Sequence, residues 1–239
     1  MSLLQNFKQE NDVQEEKDVL GGSNFLVESG ADDYNIDLAY AGKSTGGASF
    51  IALHLSKGKT LLRETIYITT KGGKTYYEKD GAKSNLPGFS LINSLVFVTL
   101  GKQLHELATE QKIAKLYDPA QKKEVPTVVE MIPDLMGQTV TAGVLKVIED
   151  KTAKDAAGNY VPTGETRTIN TIDKFFRSSD GLTSTEIKGG VKEPVFLTAW
   201  KEKNTGVTRN KAKGATGASG KPAASGTAPK PATSLFAKP

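Results

Sequence analysis

Three tyrosines and four lysines or arginines surround a Gly-Gly pair between Arg63 and Gly81, in RETIYITTKGGKTYYEKDG. Cations follow a phosphate track, and tyrosine rings stack on unpaired bases at about 1–3 kcal/mol per base. The chemistry open to this stretch is therefore recognition of a single-stranded nucleic acid. Gly72-Gly73 between β-forming residues predicts a two-residue hairpin loop, because both central positions favour positive φ. That register opposes Thr69 to Tyr76 and Ile68 to Tyr77. Alternation then puts Leu62, Ile66, Ile68 and Tyr77 on a core face. Arg63, Thr65, Tyr67, Thr69, Lys71, Lys74 and Tyr76 fall on the outer face, with Tyr67 and Tyr76 about one diagonal apart. A slip of one residue would exchange the two faces. Residues 57–83 hold seven basic and three acidic side chains. The candidate single-stranded-DNA contacts are Lys57, Lys59, Arg63, Tyr67, Lys71, Lys74 and Tyr76. An ordinary solvated strand face would also carry Lys, Arg and Thr.

Other chemistry finds little purchase. Gly42 to Thr45 reads GKST, but a phosphate loop needs glycine where Asp37 stands, so a turn is expected there. His105-Glu106 lacks the second histidine of a zinc-protease helix, since Thr109 occupies that place. With only His54 and His105 in the chain, a nucleophile–His–Asp triad has few possible partners. His54 falls in a strand pattern as a packed or edge histidine. Asp32, Asp33, Asp150 and Asp155 sit in loop-like surroundings that favour solvated carboxylates over a nuclease metal site. The absence of cysteine excludes disulfides and thiolate zinc. No catalytic function, metal or cofactor is expected.

The elements that must carry the surface read mostly as strands. In SFIALHL, Ile51, Leu53 and Leu55 alternate with Phe50, Ala52 and His54. LPGFSLINSLVFVTLG is ambiguous between strand and short helix, with a strand-like end at Val96 to Thr99. KQLHELATEQK suits one short helix. VPTVVEMI and GQTVTAGVLKVIEDK are β-rich, and the second shifts its apolar parity from Val140 and Val144 to Leu145 and Val147, which implies a bulge. DAAGNYVPTGETR reads as a long polar connection. These features predict a mostly β protein: a small β-barrel with a short helix, long loops and a disordered C-terminal tail.

Charge divides the chain. Residues 1–20 carry a net of −3, residues 201–239 a net of +7, and the body between them is neutral. The expected organisation is an acidic polar segment over 1–22, a binding domain over 23–203 and a basic tail over 204–239. From Gly214 onward the tail is Gly, Ala, Ser, Thr, Pro and Lys, with Leu235 and Phe236 as its only large apolar residues and hence its docking handle. No run of about 18 apolar residues offers a membrane span. The acidic start lacks the apolar stretch of a secretory signal. A cytoplasmic location follows as the expectation.

The succession ETIYITTKGGKTYY, LPGFSLINSLVFVTLGKQL, LYDPAQKKEVPTVVEMIPDLMGQTV, DAAGNYVPTGETRTINTIDKFF and TGVTRNKAK resembles single-stranded-DNA-binding proteins of tailed bacteriophages. The resemblance runs from about Phe50 to Lys213 and rests on segment order and phrasing. It implies an OB-type barrel that coats single-stranded DNA during phage replication and recombination with little sequence preference. It further implies cooperative self-association on DNA and no catalysis. Replication or recombination proteins would be met through the termini. Many such proteins end in an acidic tail, whereas residues 203–239 here contain no acid. The alternative is a phage structural or assembly protein whose basic tail meets DNA incidentally.

Overall fold

The computed structural model describes residues 26–118, 120–156, 158 and 160–213. Half of the chain is strand, so the protein is mostly β. Its organising strand is β1 (Gly30–Lys43). Tyr34 and Ile36 point into the core, a register shift falls between Ile36 and Leu38, and Ala39 then takes the core position. The extra residue reverses parity, so Leu38 and Tyr40 face outward and the strand bends. Bending lets β1 serve two neighbours. Its first half pairs antiparallel with β8 (Thr139–Lys154), its second half with β2 (Ser49–Lys57), and Tyr40-Ala41 also meet β7 (Lys123–Met131).

From β1 the sheet runs outward in both directions. One side passes through β2 to β3 (Thr60–Tyr67), the other through β8 to β9 (Tyr160–Phe176). The free edges of β3 and β9 return to within 8 Å of each other between Cα atoms. No ladder joins them, so the antiparallel sheet is not closed into the barrel that the sequence led one to expect. Across the gap the Ile172 N–H donates to Glu64 Oε2 at 2.6 Å. Glu64 shares the core-facing parity of Leu62 and Ile66. Its carboxylate occupies the place where a strand ladder would have closed the sheet.

Helix α1 (Pro87–Leu100) packs against β3, β8 and β9 and buries Ile92, Leu95, Val96 and Val98. The ambiguous apolar run is thus helical to its end. Pro87 in its first turn and Gly101 in the left-handed region just past it are ordinary helix boundary residues. Gly88 lets this helix abut β3, since a Cβ there would lie 2.1 Å from the Tyr67 carbonyl oxygen. The short helix expected in KQLHELATEQK reduces to one 3-10 turn, Leu104–Glu106, before β6 (Glu110–Asp118) begins. Strands β6 and β7 form a hairpin whose inner side packs Ala114, Val129 and Met131 on Leu38 and Tyr40.

Two further corrections concern β8 and the tail. A register shift does occur at Gly143/Val144, yet the changing parity of β8 has a second cause. The strand is buried on both faces, Val140, Ala142 and Val144 in the main core, and Leu145 and Val147 against Phe176 and Trp200. Trp200 comes from the helix Val195–Asn204 and lies over Gly143, where a Cβ would meet its ring at 2.9 Å. The polar DAAGNYVPTGETR segment is mostly strand: the outer ends of β8 and β9 pair as an exposed two-stranded ribbon. A short strand, β10 (Thr208–Asn210), pairs parallel with β8, so the described fold continues to Lys213 in the region expected to be tail. Among the described residues no helix is long and apolar enough to cross a membrane.

Burial pushes the Glu64 carboxyl up to about 7, against the opposing pull of the Ile172 N–H and the Lys211 charge. The folded chain therefore holds this proton over a range where the unfolded chain has lost it. The contribution is fully present below the ordinary glutamate value near 4 and is lost as pH rises through about 7, amounting to up to about 3 kcal/mol. Glu64→Gln keeps an acceptor for Ile172 and removes the ionisation. Its melting temperature should exceed that of the wild type at pH 8 and fall less between pH 5 and 8. Parallel pH–melting curves for the two proteins would count against this role.

Candidate nucleic-acid interface

On the outer face of β1, β2 and β3, cross-strand registry brings together residues distant in sequence. Gly42 pairs with Phe50 and Phe50 with Tyr67; Tyr40 pairs with Ala52 and Ala52 with Thr65; Leu38 pairs with His54 and His54 with Arg63. The rings meet edge to face: Tyr40–Phe50 at 6.4 Å, Phe50–Tyr67 at 6.0 Å and Tyr40–His54 at 6.4 Å between centroids. Such geometry fixes ring orientation and adds about 0.5–1.5 kcal/mol per pair beyond burial. Gly42 makes room for it, because a Cβ there would lie 2.5 Å from Phe50 Cζ. The ring of Phe50 thus lies on bare backbone. Tyr67 is 52% exposed at the margin of the cluster.

Electrostatics complete this face. Arg63 stands beside His54 and reaches Glu124 of the β6–β7 hairpin at 3.6 Å. Half-exposed pairs of this kind contribute little to stability, so the guanidinium is available to a stronger anion. Burial and then the Arg63 charge lower the His54 pKa, while Asp37 and Glu124 oppose them. Its neutral ring serves as part of the aromatic floor. Desolvation likewise raises Tyr40 and keeps its phenol protonated.

The predicted site residues do not all gather here. Arg63, Thr65 and Tyr67 face outward on β3, and Leu62 and Ile66 inward, as alternation requires. The hairpin register beyond them is different. β3 ends at Tyr67 and pairs with β2 through the Gly58-Lys59 turn, while β4 (Tyr76–Lys79) pairs with β5 (Ala82–Asn85) in a separate two-stranded sheet. Thr70 and Lys74 close a three-residue loop over Lys71, Gly72 and Gly73 through a Thr70 N–H to Lys74 carbonyl bond of 2.8 Å. Its extra residue breaks the expected pairing of Thr69 with Tyr76 and Ile68 with Tyr77. Tyr77 consequently lies outside the core and is 45% exposed, and Tyr76 sits between Lys74 at 5.6 Å and Lys83 at 5.0 Å from its ring.

Lys71 folds against the turn at Gly46 and Gly47 that joins β1 to β2, next to the Phe50–Tyr67 end of the face. Lys59 occupies the β2–β3 turn at the other end, and nearby Lys57 is engaged by Asp32 at 2.7 Å. The structure therefore groups Arg63, Tyr67 and Lys71, sets Lys74 and Tyr76 on a second hairpin, and leaves Lys57 and Lys59 at the far turn. Leu235 and Phe236 lie outside the described residues. Of the candidate carboxylates, Asp33 accepts the Thr141 hydroxyl and Asp150 accepts the Lys213 N–H at 2.9 Å. Asp155 contributes its carbonyl to the ribbon turn, where it takes the Gly158 N–H.

Sequence reasoning missed Tyr40, Phe50 and His54 as members of one surface. A signal for two of them was present in SFIALHL, whose non-core parity carries an aromatic ring and a histidine. The chain matches no family model, no curated protein and no solved structure.

Three substitutions check this geometry. Gly42→Ala should displace the Phe50 ring and cost about 1–3 kcal/mol, the range for overpacking. In a Phe50→Ala background the same change should cost much less, since contacting residues are not additive; equal costs in both backgrounds would show that the ring does not rest on Gly42. Tyr77→Ala should lower stability by under about 1 kcal/mol, because no core side chain is removed. A loss of the size seen for a core aromatic, about 3–5 kcal/mol, would restore the original register.

Proposed function

We propose that the protein binds single-stranded DNA on the outer face of β1–β3 and coats it with little sequence preference, as a phage-type replication and recombination protein does. The observation that carries this reading is the ring cluster of Tyr40, Phe50 and Tyr67 beside Arg63 and Lys71, on the face of a curved sheet. Flat rings accept any unpaired base, and flanking cations accept the backbone; a duplex offers no free base faces to such a surface. Further support comes from the strand order. A five-strand path β3-β2-β1-β8-β9 with a helix between β3 and the later strands is the connectivity of an OB-type barrel, here open at one seam, and OB domains bind oligonucleotides on the face of their second and third strands. The resemblance in segment order to tailed-phage single-stranded-DNA-binding proteins points the same way.

The neutral body sets the expected energetics. Stacking should supply much of the affinity, with about four phosphates engaged and a slope of log K on log salt near −3. Oligo-dT should bind more tightly than duplex of equal length at about 0.15 M salt. Phe50→Ala and Tyr67→Ala should each weaken oligo-dT binding by about 1–3 kcal/mol, while Arg63→Ala should weaken it uniformly and flatten the salt slope by about 1. Equal affinity for duplex and single strand, or full affinity in both ring variants, would contradict the reading.

A further inference from the structure

The seam between β3 and β9 opens into a cleft of about 550 Å³ lined by residues of both edges, 59–64 and 168–172, together with Leu26 and Val144. Its size falls within the range of ligand sites. What distinguishes it is the chemistry of its walls, which are two edges with no strand paired to them among the described residues. The two-residue Gly58-Lys59 turn makes Lys57–Thr60 the hydrogen-bonded closing pair, so the main-chain groups of Leu61 and Arg63 point away from β2. On the other wall, the Ile172 N–H points away from β8 toward Glu64, and alternation aims those of Thr168 and Asn170 the same way. Leu61, Leu62, Ile169 and Val144 give the walls an apolar character. Main-chain donors and acceptors on both sides with apolar walls recognise an extended polypeptide, the β-augmentation mode.

We propose that this cleft is the docking site for the 232–238 segment of the chain's own C-terminal region, ATSLFAK, added as a strand in the seam. Three observations select it. Beyond Lys213 it is the longest stretch free of glycine and proline, and it carries Leu235 and Phe236, the only large apolar residues there. Described chain leaves the fold beside the cleft, because Lys211, the residue after β10, bonds its N–H to the Ile148 carbonyl and its charge acts on Glu64. The residues from 214 to 231 then reach roughly 25 Å at the dimensions of a Gly-rich chain. A tether of this length supplies an effective concentration on the order of 1 mM, so a peptide Kd of about 0.1 mM keeps the cleft about nine-tenths occupied.

Amide hydrogen exchange tests this without reference to DNA. Leu61, Arg63, Thr168 and Asn170 should exchange about tenfold more slowly in the full chain than in a protein ending at Lys213, the effect expected for a site about nine-tenths filled. Free ATSLFAK peptide at about 1 mM should restore the protection to the shortened protein. Leu61→Lys, at a position 57% exposed and outside the core, should abolish that restoration while leaving the melting temperature of the shortened protein unchanged. Equal exchange in the full and shortened chains overturns the proposal. So does protection that survives loss of 214–239 and disappears on removal of 1–25, which would assign the cleft to the N-terminal segment. Failure of single-stranded-DNA binding leaves these exchange outcomes untouched, so the two proposals fail separately.

Discussion

One carboxylate holds the two ends of the sheet together. Glu64 projects from the core-facing side of β3 and takes the Ile172 main-chain N–H across a seam that no ladder closes. A buried N–H without a partner costs about 1–3 kcal/mol, so the contact settles where β9 can lie relative to β3. The position of β3 in turn fixes the outer face, since Arg63 and Thr65 flank Glu64 in sequence and alternate with it across the strand. The raised Glu64 pKa reflects the same compromise, because a side chain performs in a desolvated place what backbone does elsewhere in the sheet.

The outer surface shows how a small sheet can carry aromatic rings on its wet face. Phe50 and Tyr40 meet edge to face and Phe50 also rests on Gly42, so neighbours fix the orientation of both rings. Only Tyr67 is largely exposed. The β6–β7 hairpin covers Leu38 and part of Tyr40, and its Glu124 occupies Arg63. A polyanion arriving at this face would have to displace a half-exposed carboxylate, a small cost beside the gain from one stacked base.

Alternation was readable wherever one face of a strand is buried and the other is wet. It placed Ile51, Leu53, Leu55, Leu62 and Ile66 in the core and Arg63 and Tyr67 outside. It failed where that condition lapses. β8 is buried on both sides, so its parity shift at Leu145 reports a second core built around Trp200 as well as a bulge. Helix α1 is apolar around most of its circumference, and periodicity could not separate it from a strand; Pro87 and Gly101 at its ends were the better guides. The hairpin error came from loop length, because Gly72-Gly73 marks the turn correctly but Lys71 is also in the loop, which moves Tyr77 out of the core. Glu64 breaks the apolar parity of β3 with a lone carboxylate, and alternation passed over it. The acidic start and Leu235-Phe236 lie outside the described residues.

The central claim is that single-stranded DNA lies on the outer face of β1–β3. Ultraviolet crosslinking of bound oligo-dT to the full-length protein, followed by mass-spectrometric mapping of the modified residues, tests it most directly. Crosslinks on Tyr67 and Phe50, suppressed by unlabelled single strand but not by duplex, are the predicted result. Crosslinks confined to residues 201–239, and equally suppressed by duplex, would contradict the account and make the basic C-terminal region the site of contact.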